Sequence, residues 1–438
     1  MNGVIVPPEL ANADASKEET AIGIGDVEGL ATPFGHAMLQ NFNFAPGYIN
    51  LNHGSYGSMP KPVLRATEAL ALEAEARPDK FMRMTYLPLL TRVRTRVAQL
   101  INANADECVM VTNTSHGINT VLRNFPWKEG DIIIGFSTTY GAVSRTLKYL
   151  SDVAPNPTLS TIELTFPTSH ASILERTRAH IRSLSRSEGQ DVVMVLDGII
   201  SNPGARMPWE EIVAICKEEH VWSVVDAAHC IGQIDIDLEA VQPDFWVSNC
   251  HKWLLSKRGS AVLYVPKRNQ HIIKSTFPTS IGYKSLEDTN FVGQFDWTGT
   301  SDFVPVLSVN AALDFRASIG GEKKINEYCH SLAVKGGKRL AEILGTRTLD
   351  ETGEFTANMT DVLLPLNISP NATDAELWAI LWKFYDKMLA ANFFAAIYVH
   401  DRKWWTRCSA QIWIELSDFE FVGHALARIC AELKEEGS

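Results

Sequence analysis

The chain has 438 residues, long enough for two packed cores rather than one simple layered sandwich. With 45% hydrophobic and 21% charged residues it has the composition of an ordinary globular protein, which excludes a disordered one. The net charge of −11, with Lys and Arg dispersed, excludes a phosphate-binding surface for nucleic acid.

Seven cysteines, at 108, 216, 230, 250, 329, 408 and 430, show no CxxC spacing and an odd total. That usage predicts neither a disulfide framework nor a metal site, and it fits a reducing compartment. No stretch is apolar and uncharged for long enough to span a bilayer, and the N-terminus lacks a basic segment followed by an apolar run. The expectation is a cytoplasmic protein with no membrane partner.

In chain order, residues 1–33, rich in Ala, Gly, Asp and Glu, read as a flexible leader. Residues 34–60 read as an N-terminal segment that joins a small domain. From Pro62 to Asn102 apolar residues recur at helical spacing, which predicts two helices broken near Arg77-Pro78. Seven short apolar runs follow: ECVMVTN, DIIIGFS, STIELTF, DVVMVLDGI, VWSVVDAA, DFWVSNC and SAVLYVP. Amphipathic stretches such as SILERTRAHIRSLSR and PWEEIVAICKEEH lie between them. This rhythm predicts an α/β domain over 61–320, with a mostly parallel seven-stranded sheet flanked by helices. Beyond 320 come two long helical patterns, EKKINEYCHSLAVKGGKRLAEIL and ELWAILWKFYDKML, with strands in DVLLPLNI, FFAAIYVH and RCSAQIWIEL. They predict a smaller α+β domain over 321–438.

A parallel sheet binds its ligand outside the carboxyl ends of the strands. Three features fall there: TNTSHGIN after the first run, Asp226 in VVDAAHCIG, and Lys252 in SNCHKWLLSKRG. A lysine amine deprived of water loses its proton readily and attacks aldehydes. With an aspartate to pair a pyridinium nitrogen, and a helix start to hold a phosphate, the set fits pyridoxal 5′-phosphate. A strand-end aspartate alone is commonly a cap, a Ser-His-Gly a plain helix start, and a lysine solvated; their joint order carries the reading.

VVDAAHCIG and SNCHKWLLSKRGSAVLYV resemble the class V branch of the fold-type I pyridoxal phosphate enzymes, the aminotransferase superfamily with the cysteine desulfurases and isopenicillin N epimerase. LNHGSYGSMP, EARPDKFMRM and TSHGINTVLRN narrow the resemblance to a fungal subgroup with the loline-pathway enzyme and the ergothioneine C–S lyase. It runs from about Phe34 to about Leu433.

The resemblance implies Lys252 as the Schiff-base lysine and proton shuttle, and Asp226 as the partner of the ring nitrogen. It implies His229 as the donor to the ring oxygen O3′, where desulfurases have glutamine, and Tyr140 as the residue stacked on the ring. Ser115, the amide of His116, Ser248 and His251 would hold the phosphate. Thr300 would reach the phosphate of a neighbouring subunit, which implies a homodimer with shared sites; a turn role for Thr300 stands beside this. Arg407, with Arg402 as second candidate, would bind the carboxylate of an amino-acid substrate, and Asn52, His53 and Tyr56 would fold over the entrance. For His53 a place in a tight turn, and for Arg402 plain surface charge, are the alternatives.

The cofactor leaves several reactions open, all acting at Cα of an amino acid. The C–S lyases resembled here carry a cysteine three residues after the stacking tyrosine, where this chain has Val143. That departure favours a C–C bond-forming, Mannich-type cyclase of secondary metabolism, decarboxylative or not, over the alternatives of a C–S lyase, a cysteine desulfurase or an epimerase. A scaffold that lost the chemistry would lack Lys252 or Asp226, and both are present.

Overall fold

The computed structural model describes residues 32–274, 279, 283, 285, 287 and 290–436. All but the last two residues of the leader expected over 1–33 lie outside these.

Helix α1 (Lys61–Ala76) begins on Pro62 in its first turn and ends at Arg77. A short turn of helix leads into α2 (Tyr86–Leu100), so the break falls at Pro78 as the sequence predicts. Seven strands then build one sheet: β2 (Cys108–Val111), β3 (Ile132–Phe136), β4 (Thr158–Ile162), β5 (Val192–Asp197), β6 (Trp222–Asp226), β7 (Phe245–Asn249) and β8 (Ala261–Tyr264). Their order is β2-β8-β7-β6-β5-β3-β4, with β8 antiparallel to both neighbours and the pairs from β7 to β4 parallel. Every residue of β5 is buried, because helices cover both faces of the sheet, and this is why the strand reads as a continuous apolar run. Each such side chain stabilises the fold by about 1.5–3 kcal/mol on burial.

Helices α3 (Thr114–Asn124), α4 (Gly141–Asp152), α5 (His170–Ser183) and α6 (Trp209–Glu218) follow strands β2, β3, β4 and β5. A side chain at Gly117 of α3 would come within 2.5 Å of Val247, so this glycine lets the helix start lie directly on β7.

Beyond α7 (Val309–Ser318) and the long α8 (Gly321–Leu344), a three-stranded antiparallel sheet has the order β11-β12-β9, formed by Ala396–His400, Lys403–Ser409 and Met359–Leu363. Helices α9 (Asp374–Ala390) and α10 (Leu416–Glu435) complete this region. The N-terminal segment belongs here by packing, since Met38, Phe42 and Leu51 share one apolar cluster with Leu340, Trp404 and Leu426. It is also stitched on by β1 (Ile49–Asn50), which pairs in parallel with β10 (Phe393–Phe394).

Strand β12 differs from the expectation of RCSAQIWIEL. It starts at Lys403 and stops at Ser409, because Asp401 and Arg402 both take positive φ (49° and 52°) and close a two-residue hairpin after His400. Among the described residues no helix is long and apolar enough to cross a membrane.

Candidate active site

Strands β5, β6 and β7 end side by side at Asp197, Asp226 and Asn249, and a short helix, Cys250–Trp253, carries Lys252 just beyond β7. Lys252 Nζ lies 3.0 Å from His229 Nε2. Burial first, then the nearby Arg407 cation, pushes the lysine amine down to about 7, while Asp226 opposes them. The amine is therefore substantially uncharged at neutral pH, ready to act as nucleophile and base.

Asp226 is buried and accepts from the Ala228 amide at 3.1 Å. Burial raises its carboxyl above the usual range; the Ala228 amide and Lys252 restrain the rise. Asp197 stands opposite Asp226 in the β5–β6 register, equally buried, with Oδ2 lacking a hydrogen-bond partner. Burial and then the charge of Asp226 raise it well above the usual range, against the Tyr140 amide. Sequence reasoning passed over Asp197, although VLDGI places an aspartate at a strand end just as VVDAA does.

His229 is buried, with Nδ1 3.3 Å from Trp253 Nε1. Burial and the positive neighbours, Lys252 first, push its imidazole well below the usual range. Tyr140 precedes α4 and is 48% exposed.

The phosphate contacts expected from the sequence divide. Ser115 sits in the first turn of α3, whose positive dipole end suits an anion. The His116 amide, however, donates to Asn113 Oδ1 at 2.8 Å, because Asn113 caps the helix. Ser248 is fully buried, its hydroxyl donating to Ala227 O and accepting from the Ile231 amide, so it braces the 227–231 turn instead of meeting a ligand. The alternation of β7 gives the site-facing role to Asn249, whose Oδ1 accepts from the Thr114 amide at 2.9 Å. His251 donates from Nδ1 to Ser260 O at 2.9 Å, which leaves Nε2 for a ligand; burial pushes its imidazole down to about 4. Thr300 is exposed, in the loop before Phe303.

Arg407 is buried, and the N-terminal segment holds it. Its Nη2 donates to Asn52 Oδ1 (3.1 Å) and Ser55 Oγ (2.9 Å), its Nη1 to Ser201 O, and its Nε has no partner. Tyr56, in the same short helix as Ser55, is 70% exposed. His53 does not face the entrance: it is buried, donates from Nε2 to Lys252 O at 2.8 Å and packs edge-on against Trp253 and Trp413. Gly57 meets the same helix, since a Cβ there would fall 1.8 Å from His251 O. Arg402 lies in the exposed β11–β12 turn, where Nη2 donates to Ser369 O and Pro370 O, five residues along the strand from Arg407 and hence roughly 17 Å away. The structure does not bring it to Arg407.

Val143 is buried in the apolar cluster between α4 and the sheet, with Ile118, Leu147 and Val195. A side chain there packs the core instead of facing the amine, so Val143 does not separate a cyclase from a lyase. All seven cysteines are buried.

The residues present fit pyridoxal phosphate: an amine that sheds its proton, buried carboxyls beside it, an imidazole to meet the ring oxygen, and an unpartnered Nε on a buried arginine. The family model for Aminotransferase class-V matches residues 57–365. The chain is 35% identical to the L-cysteine desulfhydrase-like protein lolT1 of Epichloe uncinata, over 92% of this chain and 97% of that one. It is 31% identical to the hercynylcysteine sulfoxide lyase of Schizosaccharomyces pombe, over 91% of this chain and 98% of that one. The cystine C-S lyase C-DES, solved with its product cysteine persulfide, superposes with a TM-score of 0.72 at 17% identity, over 87% of this chain and 98% of that one, a likeness of fold. The chain thus belongs to the aminotransferase class-V family and is a pyridoxal phosphate-dependent enzyme.

Proposed function

We propose that this enzyme is a C–S lyase that carries out β-elimination on a cysteine-derived amino acid. The observation that carries this reading is the pairing of the Lys252 amine, 3.0 Å from His229 Nε2, with a buried guanidinium at Arg407 clamped by the N-terminal segment. The names of the two relatives, one desulfhydrase-like and one a sulfoxide lyase, support sulfur as the leaving atom.

The α-carboxylate of the substrate meets Arg407, which exchanges its contacts with Asn52 and Ser55 for it or adds the free Nε. Lys252 takes the proton from Cα onto Nζ. When bound, the cofactor supplies the electron sink that makes this proton acidic. The electron pair of the broken Cα–H bond expels sulfur from Cβ, and water then splits the remaining enamine into pyruvate and ammonia. For cysteine the balance is cysteine plus water giving pyruvate, ammonia and hydrogen sulfide. Because every thiol of the chain is buried, sulfur leaves to solvent instead of being parked on a protein cysteine.

The Mannich-type cyclase is the second reading, since it needs the same base and the same carboxylate site; the observation that favoured it, Val143, is a core position. A homodimer with shared sites is part of the proposal, and Thr300 is exposed in its loop, as a contact with a second copy requires.

The test is to supply loaded enzyme, in deuterated water, with L-cysteine, L-cystine and S-alkyl-L-cysteine sulfoxides. Pyruvate and ammonia in equal amounts are expected. Deuterium entering Cα without pyruvate would remove elimination and leave the C–C bond-forming reading.

A further inference from the structure

Trp253, His229 and Lys252 form a chain of nitrogens: indole Nε1 is 3.3 Å from Nδ1, and Nε2 is 3.0 Å from the amine. An indole N–H only donates, so Nδ1 must offer its lone pair. His229 is buried and uncharged. A neutral imidazole with a lone pair on Nδ1 carries its proton on Nε2. That proton can only point at Nζ, which accepts only as an uncharged amine. The opposite polarity, an ammonium donating to Nε2, would put a proton on Nδ1, facing the indole N–H.

We infer that Trp253 is a positioning residue that fixes His229 as its Nε2–H tautomer and thereby makes it a standing donor to the site. This rests on the pyridoxal phosphate reading in one respect only: with the cofactor in place, the donor serves the ring oxygen O3′. A glutamine at this position would donate through an amide that needs no such choice. A histidine needs an outside group to choose for it.

The indole is not free to follow the histidine. Arg316, itself buried and paired with Glu322, donates from Nη1 to Trp253 O (2.6 Å) and from Nη2 to Gly232 O (3.0 Å). His53 closes the other side, ring to ring at 5.4 Å. The titratable and charged groups around His229 are Lys252, Arg407, His251 and His53, and among the described contacts Nδ1 meets Trp253 alone.

Two measurements test this. The first is the nitrogen-15 spectrum of wild-type protein with labelled histidine, loaded and unloaded, with His229 assigned by its loss in His229→Gln. Nδ1 is expected as a pyridine-type and Nε2 as a pyrrole-type nitrogen in both states. The reverse pattern, or an average of the two, overturns the inference, and this needs no change at Trp253. In the second, Trp253→Phe is compared in the wild-type and His229→Gln backgrounds, following the pH at which the visible band of the bound cofactor changes. Without the fixed donor, the negative charge on O3′ is less stabilised, so the transition moves up by about one pH unit in the first background. It stays in place in the second. Equal movement in both backgrounds would make Trp253 merely structural and overturn the inference. A wild-type protein that never forms a visible band removes the cofactor reading and leaves the tautomer to the unloaded spectrum.

Discussion

Asp197 and Asp226 occupy the same register on adjacent parallel strands, and both carboxyls are buried at the strand ends. Two like charges so placed cannot both form without cost, so one proton stays on the pair to higher pH than on a solvated aspartate. Folded protein then holds more protons than unfolded protein, and stability falls as pH rises from about 4 through the raised carboxyl pKa. For unloaded enzyme, Asp197→Asn is expected to reduce this fall and raise Tm at neutral pH. Thermal melts of both proteins from pH 4 to 8 measure it; an unchanged slope would mean that Asp197 is ionised in the fold.

Lys252 has the opposite sign of linkage. Its folded pKa of about 7 lies below the ordinary lysine value, so unfolded chain holds the extra proton and stability rises with pH above about 7. Lys252→Met should remove this rise in unloaded protein. The same variant should lose covalent attachment of the cofactor, seen as no retained label after borohydride reduction, and about 100- to 10,000-fold in turnover.

Arg407→Lys replaces a planar fork with a single point charge that cannot reach Asn52, Ser55 and Ser201 together. The expected loss is about 1.5–3 kcal/mol of carboxylate binding, roughly 10- to 150-fold in KM, with kcat changing less. Arg402→Ala should leave KM within about twofold, because that side chain caps an exposed turn. Steady-state kinetics on the two variants separate them.

Ser248→Ala should lower stability by about 1–3 kcal/mol through the unsatisfied Ile231 amide, since the Ala227 carbonyl still accepts from the Cys230 amide, while leaving cofactor affinity nearly unchanged. Asn249→Ala frees the Thr114 amide at the start of α3 and should weaken cofactor binding by about tenfold. Urea melts and cofactor titrations together distinguish the two positions.

Much of this site was legible because a sheet covered on both faces writes its strands as plain apolar runs, and residues that end such runs stand at the ligand edge. Lys252 and Asp226 stand at such ends and were read from them, and His229 entered through the resemblance; the structure brings the three together. Ser248 was not placed correctly, because adjacent strand residues point to opposite faces and the motif alone does not set the phase. Arg407 and Arg402 are five residues apart in one stretch; only the hairpin, closed by two positive-φ residues, separates a buried clamp from a turn. Val143 was compared with the lyases by motif position, which does not show that the side chain packs in the core. The contacts of Arg407 with Asn52 and Ser55 span about 350 positions, and no local pattern carries such a pairing.

That last span sets an order of events during synthesis. Asn52 and Ser55 leave the ribosome long before Arg407 does, and the parallel pair Ile49–Phe393 waits equally long for its second strand. Lys252 and the strand ends around it are made earlier, and those strands pair with one another. A nascent chain can therefore meet the aldehyde before it owns a grip for the carboxylate, and it gains that grip only when its two ends close on one another. The carboxylate grip is thus complete only in the finished chain.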